Sequence, residues 1–440
     1  MIIIGKITII DAPCGAGKTS WAIQTMLSDL ETSFVYCTPF LDEIDRIRKA
    51  CGMFRFWEPK NFGTSKIEDF NNLLSEGKNI AVIHSTFLNA TPETVELIRQ
   101  GEYTMILDEA LDIIGDFNKV TSVECAIEQS LKPKDVEVMI RDGLIEVGDN
   151  CLVQWTGKDY MGTKNSEVER LARLGRLHCV NNSILCMFPP EIFQAFKKVY
   201  VMTYLLEGTL LKYYFDLFGI NYEKVTVVEE DGKYKMAEYT PYADHSFRQH
   251  SKALITVTDD GRLNGDYKKN AFSKNWYDRN IGKFEIRERL KLDLTYFFRR
   301  QAKAKSKDLM WTCPKSHKLR VQGKGYTCVR QMTKAEKMLP EEARKEREKE
   351  LACFVPLNAR ATNDYKDRWA LAYCFNMYTP LMIRHFFNNC GHPVDDDMFA
   401  IACLIQWIFR SRIRVGDPIV IYLPSPRMRQ LFQRWLNCEI

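Results

Sequence analysis

The stretch IIDAPCGAGKTSW, residues 9–21, constrains the fold more than any other part of the chain. A run of β-branched residues stops at a loop of small ones, and a lysine and two hydroxyls follow where a helix can begin. The spacing predicts a strand over Lys6–Ile10 and a helix over Lys18–Leu27 that buries Trp21, Ala22 and Met26. Between them Gly15 and Gly17 let the backbone turn its N–H groups inward, and with the helix N-terminus these form an anion cradle. The predicted phosphate loop is Ala12, Pro13, Cys14, Gly15, Ala16, Gly17, Lys18, Thr19 and Ser20. Lys18 is expected on the β- and γ-phosphates of a nucleotide and Thr19 on Mg²⁺. The pattern G-x-x-x-x-G-K-[ST] is met except at its first position, where Ala12 stands.

A loop of this kind needs a carboxylate near the metal, at the end of a neighbouring buried strand. YTMILDEAL supplies one: Tyr103–Leu107 is a short apolar run, and Asp108 and Glu109 follow where the carboxyl end of a parallel strand is expected. Asp108 is assigned to Mg²⁺, and Glu109 to orienting or deprotonating the attacking water. Two further strands, at 34–39 and 80–87, carry Thr38 with Pro39 and Ser85 with Thr86, assigned to a nucleic-acid backbone. His84 is left out of the site as a packed histidine. The run at 199–209, with Thr203 and Glu207, loosely resembles a coupling element between two sites and is equally explained as a core strand leading into a helix.

The second half changes texture from about residue 211. Helix is expected at YYFDLFGI, short strands at KVTVVEE and ALITVTDDG, and a strand at Leu309–Thr312, followed by Lys315, Ser316, His317 and Lys318 as a phosphate-contacting loop. Cys313, His317 and Cys328 match no zinc spacing. Residues 333–351 alternate in charge as a solvated helix does. ACFVPLNARATNDYKDRWALAY reads as strand, polar loop and helix, with Thr362 and Asn363 assigned to nucleic acid. In AIACLIQWIFRSRIRVGDPIVIYLPS, helical periodicity puts Gln406, Arg410 and Arg414 on one stripe, with Arg412 elsewhere and IVIYLP as the closing strand.

Composition limits the partners only mildly. Sixty-two basic against 57 acidic residues leave a formal charge of +5, compatible with a basic groove. Fourteen cysteines without CxxC pairs point to thiols in a reducing compartment, and no apolar run is long enough for a membrane span. A cytoplasmic protein is expected.

AxxGxGKT, TP, LDEA, NARATN and QWIFRSRIR together resemble superfamily 2 helicases of the DEAD/DEAH-box-like kind. NARATNDYKDRWALAY and LIQWIFRSRIRVGDPIVIYLPSPRMR are most similar to helicases encoded by tailed phages. That resemblance implies an α/β fold of two RecA-like P-loop domains with parallel sheets, ATP in the cleft between them, and single-stranded nucleic acid across their top. The domains are placed at 1–210, with an insert at 115–198, and at 211–440, with an insert at 225–300. The family's last motif reads Q-x-x-G-R-x-x-R; here Phe409 replaces the glycine and Ile413 the second arginine. Arg410 and Arg414 are taken as finger residues with Gln406. No adenine-reading Gln motif precedes residue 9. The function implied is an ATP-dependent helicase or translocase on single-stranded or tailed duplex DNA, with RNA also admitted, working with phage replication or recombination proteins. The alternative is a nucleic-acid-stimulated ATPase switch or loader that remodels a complex without unwinding.

Overall fold

The computed structural model describes residues 6–440 apart from 53–55, 62, 64, 121–129, 158–163, 266, 329–331, 345–352 and 358–364. Its strands in chain order are β1 (Ile7–Asp11), β2 (Phe34–Thr38), β3 (Phe56–Trp57), β4 (Asn79–Ile83), β5 (Thr104–Asp108), β6 (Ile114–Asp116), β7 (Ile145–Val147), β8 (Val153–Trp155) and β9 (Leu177–Val180). They continue as β10 (Ser183–Met187), β11 (Lys198–Thr203), β12 (Glu223–Glu230), β13 (Lys233–Glu238), β14 (Ile255–Val257), β15 (Leu309–Thr312), β16 (Ala370–Tyr373) and β17 (Ile419–Tyr422). The chain forms two α/β units. One comprises residues 1–12, 17–239 and 379–395, the other 13–16, 240–378 and 396–440.

In the first unit eight strands run in the order β13-β12-β1-β11-β5-β2-β4-β3, parallel throughout except for β13. The central strands are apolar without alternation because helices cover both faces of a parallel sheet. Ile9, Val35 and Cys37 enter the core on one face, and Ile10, Phe34 and Tyr36 that on the other, where Trp21, Ala22 and Met26 of helix α1 (Lys18–Ser28) pack against them. Between β5 and β11 lies a small body of its own, with an antiparallel sheet β6-β10-β9, the hairpin β7-β8 and a core that includes Val136, Met139, Val153 and Leu171. The helix Leu381–Asn389 also belongs to this unit, with Ile383, Phe386 and Phe387 buried in its core.

The second unit carries the all-parallel sheet β14-β17-β16-β15. Both units are RecA-like. Residues 223–238 extend the first sheet, so the passage to the second unit comes after Tyr239 instead of near 210: β12 pairs in parallel with β1, and β13 can only follow it.

Four local expectations are corrected. DRWALAY contributes strand, not helix: Ala370–Tyr373 is buried between β15 and β17, and that environment overrides helix propensity. Residues 80–87 split into β4 and a helical turn, His84–Phe87, because Phe87 turns into the core. The charged stretch from 333 is helical over a capped turn, Lys334–Lys337, and again over 341–344, but is interrupted at Pro340, which lacks an N–H; residues 345–351 of that expected helix lie outside those described. The helix at the last motif ends at Ile408, and Ser411 is extended.

Candidate nucleotide site

β1 is fully buried and delivers the chain to the phosphate loop, where the Ala12 N–H donates to the Thr203 carbonyl at 3.1 Å. Gly15 has φ 84° and Gly17 φ 90°, a region in which a side chain is strained. Only at Gly17 would a Cβ also collide, falling 2.0 Å from Cε1 of Tyr234; at Gly15 it would meet nothing. Helix α1 begins at Lys18 with no side-chain cap, so its first-turn N–H groups are left for another acceptor. The Lys18 ammonium folds back to donate to the Ala12 carbonyl. Thr19 and Ser20 are half-buried on the first turn.

Asp108 ends β5, two strands from β1 and at a similar level: Asp11 pairs with Thr203, and Asp108 with Met202. Its carboxylate accepts from the Thr38 hydroxyl at 3.3 Å, and its backbone carbonyl lies 3.0 Å from His84 Nε2. A carbonyl only accepts, so that nitrogen carries the proton. Burial pushes the Asp108 carboxyl up to about 7, with the charges of Glu109 and Glu43 adding to the rise and Lys18 opposing it. Glu109 follows with φ 63°, a left-handed backbone uncommon for such a residue, fixed by its N–H donating to the Met202 carbonyl at 2.9 Å.

Asp11 did not figure among the expected site residues. Its two carboxylate oxygens accept from the N–H groups of Leu205 at 2.9 Å and Leu206 at 3.1 Å, and the Lys224 ammonium stands 3.5 Å away. Burial raises its pKa, while Lys224 and the two N–H donors lower it. The signal was present: an acid closing a buried apolar strand is the pattern that identified Asp108, and Asp11 closes the run that leads into the glycine loop. Leu205 takes a left-handed backbone, φ 59°, so this carboxylate holds a strained turn at the exit of β11 beside the phosphate loop.

The residues assigned to nucleic acid divide. Ser85 and Lys315 are exposed and Pro39 is half-buried. Thr38 and Thr86 are buried, the former because its hydroxyl serves Asp108, so neither presents a side chain to a passing strand. Thr362 and Asn363 lie outside the described residues. The expected arginine stripe is broken where the helix stops. Gln406 is half-buried on the helix, Arg410 is buried beyond its end with a guanidinium nitrogen donating to the Leu357 carbonyl at 3.3 Å, and Arg414 is exposed on the following 3₁₀ turn. Arg412 pairs with Asp417 at 3.2 Å.

Residues 249–436 match the family described as the YonV C-terminal Rossmann-like domain. The SPbeta prophage-derived protein YonV of Bacillus subtilis (strain 168) is 31% identical over 448 residues, which cover 98% of this chain and 99% of that protein. The chain belongs to the YonV family. Among solved structures this YonV-family chain is similar to the apo form of XPD, with a TM-score of 0.52, 14% identity and coverage of 98% of this chain and 95% of that one. A second structure, of XPD helicase, has a TM-score of 0.50, 13% identity and the same coverage. At such identities the likeness is one of fold, and the fold is helicase-like. Among the described residues of the YonV-family chain, no helix is long and apolar enough to cross a membrane.

Proposed function

We propose that this chain is an ATP-driven superfamily 2 helicase or translocase that moves on single-stranded DNA in phage replication or recombination. The observation that carries the reading is the placement of Lys18 and Thr19 at the start of α1 and of Asp108 and Glu109 at the end of β5, all at the carboxyl ends of one parallel sheet. Two left-handed glycines and an uncapped helix N-terminus fit a chain of phosphates. The hydroxyl of Thr19 and the carboxylate of Asp108 are hard oxygen donors suited to Mg²⁺, which when bound would neutralise phosphate charge.

The protein's own groups then take separate roles. Lys18 exchanges the Ala12 carbonyl for phosphate oxygens, bringing a positive charge to where negative charge develops. Glu109, held by its constrained backbone, orients a water and accepts its proton. Arg414, exposed, is the better candidate for a finger than Arg410, whose guanidinium is spent on Leu357. Ser85, Lys315 and the half-buried Lys318 would meet nucleic-acid phosphates.

The reading is tested by ATP hydrolysis and strand displacement on a tailed duplex. Lys18→Ala should lower turnover on the order of 10²-fold or more. Glu109→Gln should keep ATP binding and lose hydrolysis, since the amide retains shape but cannot take a proton. Parent-level turnover in either variant removes the assignment of that residue. Hydrolysis without displacement in the parent would favour a switch or loader.

A further inference from the structure

The β12–β13 hairpin is an unusual addition to a parallel sheet, and it is fixed beside the phosphate loop. Its two-residue turn, Asp231 at φ 52° and Gly232 at φ 73°, has the positive angles of a tight, right-twisting hairpin. Gln24 of α1 grips it at two points: its side-chain oxygen accepts from the Tyr234 N–H at 2.8 Å, and its nitrogen donates to the Gly232 carbonyl at 3.4 Å. The backbone that carries the Tyr234 ring therefore has a set position relative to α1. Its edge occupies the space that a side chain on Gly17 would need, and the residue is only partly buried.

Resting on the phosphate-loop reading above, we infer that Tyr234 is the platform on which the purine of the bound nucleotide stacks. A nucleoside triphosphate with its phosphates over residues 15–19 must bring its base down within a ribose's reach of the loop's rim. A rigid aromatic ring already stands on that rim. Stacking reads the face of a ring and not its edge, and every base has such a face. ATP and GTP are thus bound alike by the full chain.

The test measures the affinity of the full-length protein for Mg·ATP, Mg·GTP and inorganic tripolyphosphate by calorimetry, in the parent, Tyr234→Ala and Tyr234→Phe. Loss of a base–aromatic stack should weaken ATP and GTP by about tenfold in Tyr234→Ala. Tripolyphosphate, having no base, should bind this variant as it binds the parent, and Tyr234→Phe should keep parental affinity for all three. Tyr234→Ala binding ATP as tightly as the parent overturns the proposal. So does an equal loss of ATP and tripolyphosphate, which would make the ring a prop for the loop. A parent that prefers ATP to GTP by more than about tenfold points to edge reading and also overturns it. If the parent binds neither triphosphate nor tripolyphosphate, the phosphate-loop reading itself fails, a result distinguishable because it does not depend on residue 234.

Discussion

Asp108 is pulled in opposite directions by its surroundings and by the role proposed for it. To hold Mg²⁺ in the proposed site it must be ionised, yet burial and its acidic neighbours hold its pKa at about 7. Mg²⁺-dependent nucleotide affinity should consequently rise with pH between about 6 and 8, by up to about tenfold per unit on the acid side, because the metal must first displace a proton. Titrations at several pH values check this, and a flat profile would show the carboxyl ionised throughout. For stability the sign runs the other way. Between about pH 4 and 7 the folded chain keeps a proton that the unfolded chain has released, so this group's contribution is greatest at the acid end and is lost as pH rises through 7. Asp108→Asn, neutral at every pH, should therefore unfold at higher denaturant concentration than the parent at pH 8 and show a shallower dependence on pH, while its Mg²⁺ affinity collapses. An unfolding midpoint at pH 8 at or below the parent's would contradict the assignment of a raised pKa.

Among the elements, those with strong periodicity and clear punctuation were legible in the sequence. β1, α1 and β5 occupy nearly the expected residues, since an apolar run ending in glycine or acid admits few alternatives, and the parallel α/β class followed from them. The elements that escaped are those whose type is decided by distant partners. Ala370–Tyr373 is a strand only because β15 and β17 flank it, and Gln406 and Arg410 lose their common stripe because the helix stops between them. The hairpin contact with the phosphate loop was equally invisible, and a pair of glycine variants can measure it. Gly15→Ala and Gly17→Ala carry a similar backbone penalty, of roughly 1–3 kcal/mol, but only the second adds a clash with Tyr234. Urea unfolding should show Gly17→Ala to be the less stable. Equal midpoints would mean that the ring moves aside without cost.

At the scale of the whole molecule, the formal charge of +5 is small, and the groups proposed to meet nucleic acid, the Ser85 hydroxyl and the Lys315 and Lys318 ammoniums, suit phosphate oxygens and carry no base code, so affinity should come from phosphate contacts and not from base reading. Binding of single-stranded DNA should weaken steeply as salt rises, linearly on a double-logarithmic plot, and vary little with sequence. Fluorescence anisotropy on oligonucleotides of different sequence at several salt concentrations decides it; affinity indifferent to salt would be inconsistent with backbone recognition. The linear order of the two units was the least legible feature, because the first unit takes back the helix Leu381–Asn389 after much of the second has been traversed. Phe386 lies 5.1 Å from the ring of His178, Phe387 lies 5.9 Å from that of Tyr213, and the Asp395 N–H donates to the Tyr213 hydroxyl at 2.9 Å. On the ribosome these partners do not meet when residue 239 emerges. They wait for residue 395, roughly 8–30 s later at ordinary elongation speeds. For that interval the nascent first unit shows the water an apolar patch meant for its own later segment, and the second unit must be synthesised in the presence of an unfinished neighbour. Translation speed across residues 240–380 thus becomes a determinant of yield, and a chaperone that shields the patch would raise the fraction that folds.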